Sequence, residues 1–322
     1  MKAAVIYRPG SAEEFILEER PVPTPANDQI LVRVKAFGLN RSELMTRKGY
    51  SPAVQFPRVL GIECVGEVEA DPSGQLAKGQ SVMALMGGMG RDFDGSYAEY
   101  TVLPRRLVRL FQSTLPWEVL GAIPEMFQTA YGSLHPALAI QKGETLLIRG
   151  GTSSVGMLAT QLASLAGLTV LASTRNTQKE NALRTYGAAH VLIDNGSLNE
   201  AVRAIYPDGV DKVLELVGTS TLHDSLRCLK PGGTGCMSGM LAESWTISDF
   251  APMEFIPATV RLTTYDSGQI TSPTAVFQEF IRQVEAGQVK IPVSRTFRLD
   301  QIVEAHQYMD SNQAAGKLVV LP

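Results

Sequence analysis

Cysteine is scarce. The 322 residues contain three, Cys64, Cys228 and Cys236, far apart and without a Cys-x-x-Cys pair. That spacing excludes a disulfide framework and a cysteine-rich structural zinc lobe. Each thiol reads as a small core or boundary residue. Histidine is almost as sparse, with four scattered residues, His135, His190, His223 and His306, which read as surface or packing residues. Excess charge of one sign is also lacking. With 29 basic and 32 acidic side chains the formal net charge is −3, which argues against a dominant nucleic-acid surface. No apolar run is long enough to span a bilayer. Met1-Lys2-Ala3-Ala4-Val5-Ile6-Tyr7 reads as a short strand rather than a signal-peptide core, so a cytoplasmic location is expected. Internal repeats and low-complexity segments are missing too.

What is present is ample material for buried cores, 44% hydrophobic residues in a chain long enough for two domains. Up to about residue 120 the pattern is β-rich. Apolar runs at Gln29–Phe37, Cys64–Ala70 and Gln80–Met86 are broken by Pro, Gly and Asp turns. From about 122 short strands alternate with helices. Strands are expected at Thr145–Ile148, Thr169–Ser173, Val191–Ile193, Lys212–Leu216 and Thr234–Ser238, with a sixth near Thr259–Thr263. This alternation predicts an α/β fold with a parallel, doubly wound sheet. The tail carries a helix at Thr274–Ala286, a strand near Ser294–Phe297, a helix at Asp300–Met309 and a last strand Lys317–Leu321, and is expected to return to the first domain.

The most informative stretch follows the first of the alternating strands. Arg149-Gly150-Gly151-Thr152-Ser153-Ser154-Val155-Gly156 leads straight into an apolar helix. A strand, a tight glycine-rich turn and a helix bind a dinucleotide pyrophosphate, because the first helical N–H groups lack partners and small residues admit close approach. The register here is Gly151-x-Ser153-x-x-Gly156, with a serine where the usual fingerprint has its second glycine. The second strand runs into Ser173-Thr174-Arg175-Asn176-Thr177-Gln178-Lys179, with no acid before Glu180 to hold ribose hydroxyls. Ser173, Thr174, Arg175 and Lys179 instead suit a phosphate, so NADP(H) is expected. Val217-Gly218 and Ser238-Gly239-Met240 follow the fourth and fifth strands, at the ends where ligands collect.

Several segments then carry a family resemblance by their order and spacing. They are Gly38-Leu39-Asn40-Arg41-Ser42-Glu43, Gly61-Ile62-Glu63-Cys64-Val65-Gly66-Glu67-Val68, Gly95-Ser96-Tyr97-Ala98-Glu99-Tyr100, Thr129-Ala130-Tyr131, the glycine-rich turn and Gly316-Lys317-Leu318-Val319-Val320. Over essentially its whole length the chain resembles the medium-chain dehydrogenase/reductase superfamily, in its zinc-free quinone oxidoreductase-like branch. The resemblance implies a GroES-like β-barrel catalytic domain, 1–121 with 265–322, around a Rossmann dinucleotide-binding domain, 122–264. It implies no catalytic zinc, since Asn40 and Ile62 stand where zinc-dependent members have a cysteine and a histidine.

By the same resemblance Asn40 and Thr129 line the nicotinamide end of NADPH. Asn312 and Lys317 are further candidate cofactor contacts, with a plain cap of the last strand as the alternative for Lys317. The implied reaction is hydride transfer to a quinone or an α,β-unsaturated carbonyl. Tyr50 is the candidate proton donor, although enoyl reductases of the family have Gly-x-Tyr where this chain has Gly49-Tyr50. Two other readings stand beside this one: a 2-enoyl thioester reductase, and an NADPH-binding protein with little turnover. A homodimer joined through the sixth-strand edge is the expected assembly, with no nucleic-acid or membrane partner.

Overall fold

Two compact units make up the computed structural model, which describes residues 1–269 and 271–322. One unit comprises Met1–Glu125 with Pro273–Pro322, and the other Met126–Ser272. Both divisions fall later in the chain than the expected 121/122 and 264/265. In the second unit the Gln128 side chain donates to the Ser267 carbonyl at 2.7 Å and accepts from the Ser272 N–H at 3.2 Å. Those bonds keep Ser267 and Ser272 with the second unit.

The first unit is β-rich. Phe15–Glu19, Lys2–Ile6 and Arg58–Val59 form a three-stranded antiparallel sheet in that order. A larger sheet runs Val293–Arg298, Lys317–Leu321, Gln29–Gly38, Glu63–Ala70, Ser81–Leu85, Arg109–Leu110, with Tyr100–Pro104 also pairing on Gln29–Gly38. Val319 and Val320 pair with Gly38 and Phe37, so the tail does return to this unit. Alternating apolar residues such as Ile30, Val32 and Val34 bury one face into a shared core with Leu44, Tyr97 and Leu318.

The second unit is a six-stranded sheet, parallel throughout, in the order His190–Ile193, Thr169–Thr174, Thr145–Arg149, Val210–Glu215, Leu229–Met237, Arg261–Thr264. Counted along the chain that order is 3-2-1-4-5-6, the doubly wound dinucleotide-binding arrangement. Its central strands Thr145–Arg149 and Thr169–Thr174 are buried almost throughout, as expected inside a parallel sheet. No helix among the described residues is long and apolar enough to cross a membrane.

Candidate functional site

The glycine-rich turn is held by bonds of its own. Gly150 has φ +86°, a conformation that favours glycine, and turns the chain out of the first strand. Its N–H donates to Ser173 Oγ at 3.2 Å, and the Gly151 N–H donates to the Ser173 carbonyl at 2.9 Å. Ser153 is the N-cap of the helix Ser154–Leu165. Its hydroxyl donates to the Gly150 carbonyl at 2.8 Å and accepts from the Gly156 N–H at 3.0 Å. A Cβ on Gly156 would lie 2.5 Å from the Gly150 carbonyl oxygen, so only glycine fits there. The N–H groups of Thr152, Ser154 and Val155 find no partner within the chain among the described residues. Such orphan donors at the start of a twelve-residue helix suit an anion.

Beside this turn the second strand ends in two kinds of residue. Ser173 and Thr174 are buried, with their hydroxyls engaged locally. Thr174 Oγ1 accepts from the Asn176 N–H at 3.1 Å. Arg175 is exposed and Lys179 half-buried. Burial, and then the neighbouring Arg175 charge, hold the Lys179 ammonium below its ordinary value. Two cations close enough to oppose each other's charge favour an anion between them.

At the ends of the fourth and fifth strands the organiser is Glu215, fully buried. Its carboxylate accepts from the Val217 N–H at 2.6 Å, the Gly218 N–H at 3.0 Å and the Ser225 hydroxyl. Its carbonyl accepts from the Ser238 and Gly239 N–H groups at 2.9 and 3.3 Å. Met240 follows directly. Burial raises the Glu215 carboxyl above its usual range, against the pull of these hydrogen bonds. Thr129 is buried on the helix Pro124–Gly132, and Ser133 Oγ lies 2.7 Å from both the Thr129 carbonyl and Ser238 Oγ. That contact ties this helix to the end of the fifth strand.

In the first unit Asn40 is the N-cap of the short helix Arg41–Arg47. Its Nδ2 donates to Glu63 Oε1 at 2.9 Å, and its Oδ1 accepts from Lys317 Nζ. Lys317 and Glu63 are both buried and form an ion pair at 2.7 Å. Desolvation opposes the Lys317 charge, but Glu63 and the nearby Glu125 and Glu43 carboxylates hold its pKa above the ordinary value. Glu43 Oε1 accepts from the Ile62 N–H, and Oε2 from the Asn40 N–H, both at 3.1 Å. Asn312, at φ +58°, accepts a hydrogen bond from Arg41 through its side-chain oxygen. Lys317 is thus committed to a buried network, and Asn312 to Arg41.

Tyr50 is 60% exposed. Among the described residues no group of three or more His, Cys, Asp or Glu side chains is arranged to hold a metal ion.

Sequence reasoning missed Arg149, Glu215 and the Lys317–Glu63–Asn40 cluster as organising groups. The partners of Arg149 and of the Lys317 cluster lie tens to hundreds of residues away, and Glu215, though its carboxylate partners are near in sequence, showed only as a charged residue ending an otherwise apolar strand.

Two family profiles match the chain. One, described as Alcohol dehydrogenase GroES-like domain, covers residues 26–112, and the other, described as Zinc-binding dehydrogenase, covers 186–320. The acryloyl-coenzyme A reductase of Sulfurisphaera tokodaii is 26% identical over 100% of both chains. The quinone oxidoreductase of Homo sapiens is 25% identical over 100% of this chain and 98% of the relative. The solved structure of Escherichia coli quinone oxidoreductase complexed with NADPH is 21% identical, covers 100% of each chain and has a TM-score of 0.91, which shows the shared fold.

Proposed function

The chain belongs to the medium-chain dehydrogenase/reductase superfamily, in its quinone oxidoreductase-like branch, and on that premise we propose that it is an NADPH-dependent, zinc-independent oxidoreductase acting on a quinone or an α,β-unsaturated carbonyl. The observation that carries the cofactor assignment is the pairing of orphan helix donors at Thr152, Ser154 and Val155 with the Arg175 and Lys179 cations beyond the second strand. The donors fit a pyrophosphate and the cations a 2′-phosphate. Bound NADPH supplies the hydride. Gly151, Ser153 and Gly156 shape the turn, while Ser173 and Thr174 brace it. Val217, Gly218, Ser238, Gly239 and Met240 form the strand ends proposed to border the nicotinamide, and Asn40 and Thr129 are its proposed contacts. Lys317 acts through Asn40, whose amide it orients, and Asn312 is a further proposed cofactor contact.

The zinc-independent reading rests on charge. Where zinc-dependent members place their ligands, this chain has buried Ile62 and an amide held between Lys317 and Glu63. A buried ammonium at that point repels a second cation, and the Glu63 carboxylate is already engaged by Lys317, Asn40 Nδ2 and the Glu125 N–H. The acryloyl-coenzyme A reductase relative favours a second reading within the same chemistry, in which the conjugated acceptor is an enoyl thioester. We also propose a homodimer and a cytoplasmic location.

The test is NADPH oxidation by metal-stripped protein with a panel of quinones, enones and enoyl thioesters, with NADH in parallel. The expected result is metal-independent turnover with NADPH preferred by roughly tenfold or more. Turnover that returns only with added zinc overturns the zinc-independent reading. NADPH binding without turnover on any acceptor favours the silent binder.

A further inference from the structure

Arg149 is the last residue of the first strand of the second unit and its side chain is fully buried. Strand alternation puts it on the same face as Leu147, which packs against Leu198, Val202 and Leu222. A charged group there requires partners. Nε and Nη2 donate to the two carboxylate oxygens of Asp194, at 2.8 and 2.9 Å. Nη1 donates to Asp224 at 2.7 Å, to Ser225 Oγ at 3.1 Å and to the Thr221 carbonyl at 3.2 Å. Ser225 also donates to Glu215. One guanidinium thus faces three carboxylates.

The place of Asp194 gives this network a consequence. It directly follows the third strand, and its N–H donates to the Thr174 carbonyl at 2.8 Å. Asp194 and Arg175 therefore leave two paired strands side by side, about 5 Å apart at the backbone. A bare carboxylate at that distance from Arg175 lies inside the Debye length and opposes any phosphate bound there. Asp194 is ionised. Burial works against its charge, but the Arg149 hydrogen bonds hold its pKa below the ordinary value.

We propose that Arg149 is a positioning residue for cofactor preference: by cancelling the charge of Asp194 it makes the end of the second strand hospitable to the 2′-phosphate of a phosphorylated dinucleotide. The inference rests on the NADPH reading above. Arg149 touches no cofactor atom. It turns Asp194 inward, so that this carboxylate does not offset the charges of Arg175 and Lys179 at the strand end.

Charge cancellation and simple scaffolding differ in what they do to two cofactors that differ by one phosphate. Binding of NADPH and NADH is measured by titration of the nucleotide fluorescence at low ionic strength. Arg149→Met is expected to weaken NADPH about tenfold or more while changing NADH by less than about threefold. Asp194→Asn removes that carboxylate while Arg149 keeps its bonds to Asp224 and Ser225, and is expected to shift preference further toward NADPH. The double variant restores a ratio near that of the wild type. Equal weakening of both nucleotides in Arg149→Met, or an unchanged ratio in Asp194→Asn, overturns the proposal. If Arg149→Met does not fold, Asp194→Asn decides alone. Failure of the underlying reading looks different: the wild type then shows no preference for NADPH, or Arg175→Ala leaves the preference intact.

Discussion

Tyr50 shows how one residue can have a structural and a chemical reading at once. The helix Arg41–Arg47 ends on Lys48, and Gly49 then takes φ +89°. The Gly49 N–H donates to the Thr46 carbonyl at 3.0 Å and the Tyr50 N–H to the Met45 carbonyl at 2.9 Å. These two bonds make a Schellman ending, which explains the glycine without reference to catalysis. They fix the Tyr50 backbone and leave its ring exposed, free of any core role. A proton donor loses its function when the hydroxyl is removed, whereas a surface ring does not. Tyr50→Phe is therefore expected to lower turnover with an enone by about tenfold or more, with NADPH affinity unchanged. Steady-state kinetics and a separate nucleotide titration check both halves. Unchanged turnover removes Tyr50 from the mechanism.

Among the elements, the edge strand Arg261–Thr264 carries the assembly. It pairs with Leu229–Met237 on one side, and no other strand among the described residues covers its second side. The connection leading into it exposes Trp245, Phe250 and Met253. An open strand edge with apolar neighbours pairs readily with its own copy. Light scattering at micromolar concentration is expected to give twice the chain mass, and Thr264→Lys, which sets like charges near each other at the edge, to move it toward the chain mass. A single monomer peak for the wild type contradicts the dimer. The sixth strand itself was expected near Thr259–Thr263, close to where it lies. The other strands of this sheet were legible for the same reason: parallel strands buried on both faces read as short apolar runs between polar helices. Arg149 was not legible as a network centre. Its partners Asp194 and Asp224 lie 45 and 75 residues onward, and only the sheet order brings them together. The Asn40–Glu63–Lys317 cluster was hidden likewise, because it spans nearly the whole chain. Its members were read one at a time, Lys317 as a possible cofactor contact rather than as the partner of Glu63. Ser173 and Thr174 were read as phosphate donors from residue type alone. Their burial reflects the backbone bonds that the glycine-rich turn makes to the same strand end.

For the molecule as a whole, the buried titratable groups of the first unit set how stability answers pH. His306 sits in the core between Phe15 and Tyr97, with Nε2 3.0 Å from the Tyr97 hydroxyl. Burial, and then the Arg47 charge, push its pKa from 6.5 to about 3. Between these values the unfolded chain binds the extra proton, so stability rises with pH and is complete above 6.5. Glu43 acts in the opposite sense. Burial raises it from 4.5 to about 7, despite the hydrogen bond from the Ile62 N–H. Between 4.5 and 7 the folded state holds the extra proton, so stability falls as pH rises. At most these amount to roughly 5 and roughly 3 kcal/mol. Across pH 4.5 to 6.5 the two slopes oppose each other, one proton against one, and their joint contribution is level. Urea unfolding between pH 4 and 8 separates them. Glu43→Gln is expected to gain stability relative to wild type as pH climbs from 4.5 to 7, with a constant difference above that. His306→Phe, which keeps the core volume, loses the rise toward pH 6.5 and shows only the Glu43 decline. A pH-independent difference between Glu43→Gln and wild type means that Glu43 is ionised throughout. The carboxylate is then held by its backbone donors and Lys317 strongly enough to overcome its burial.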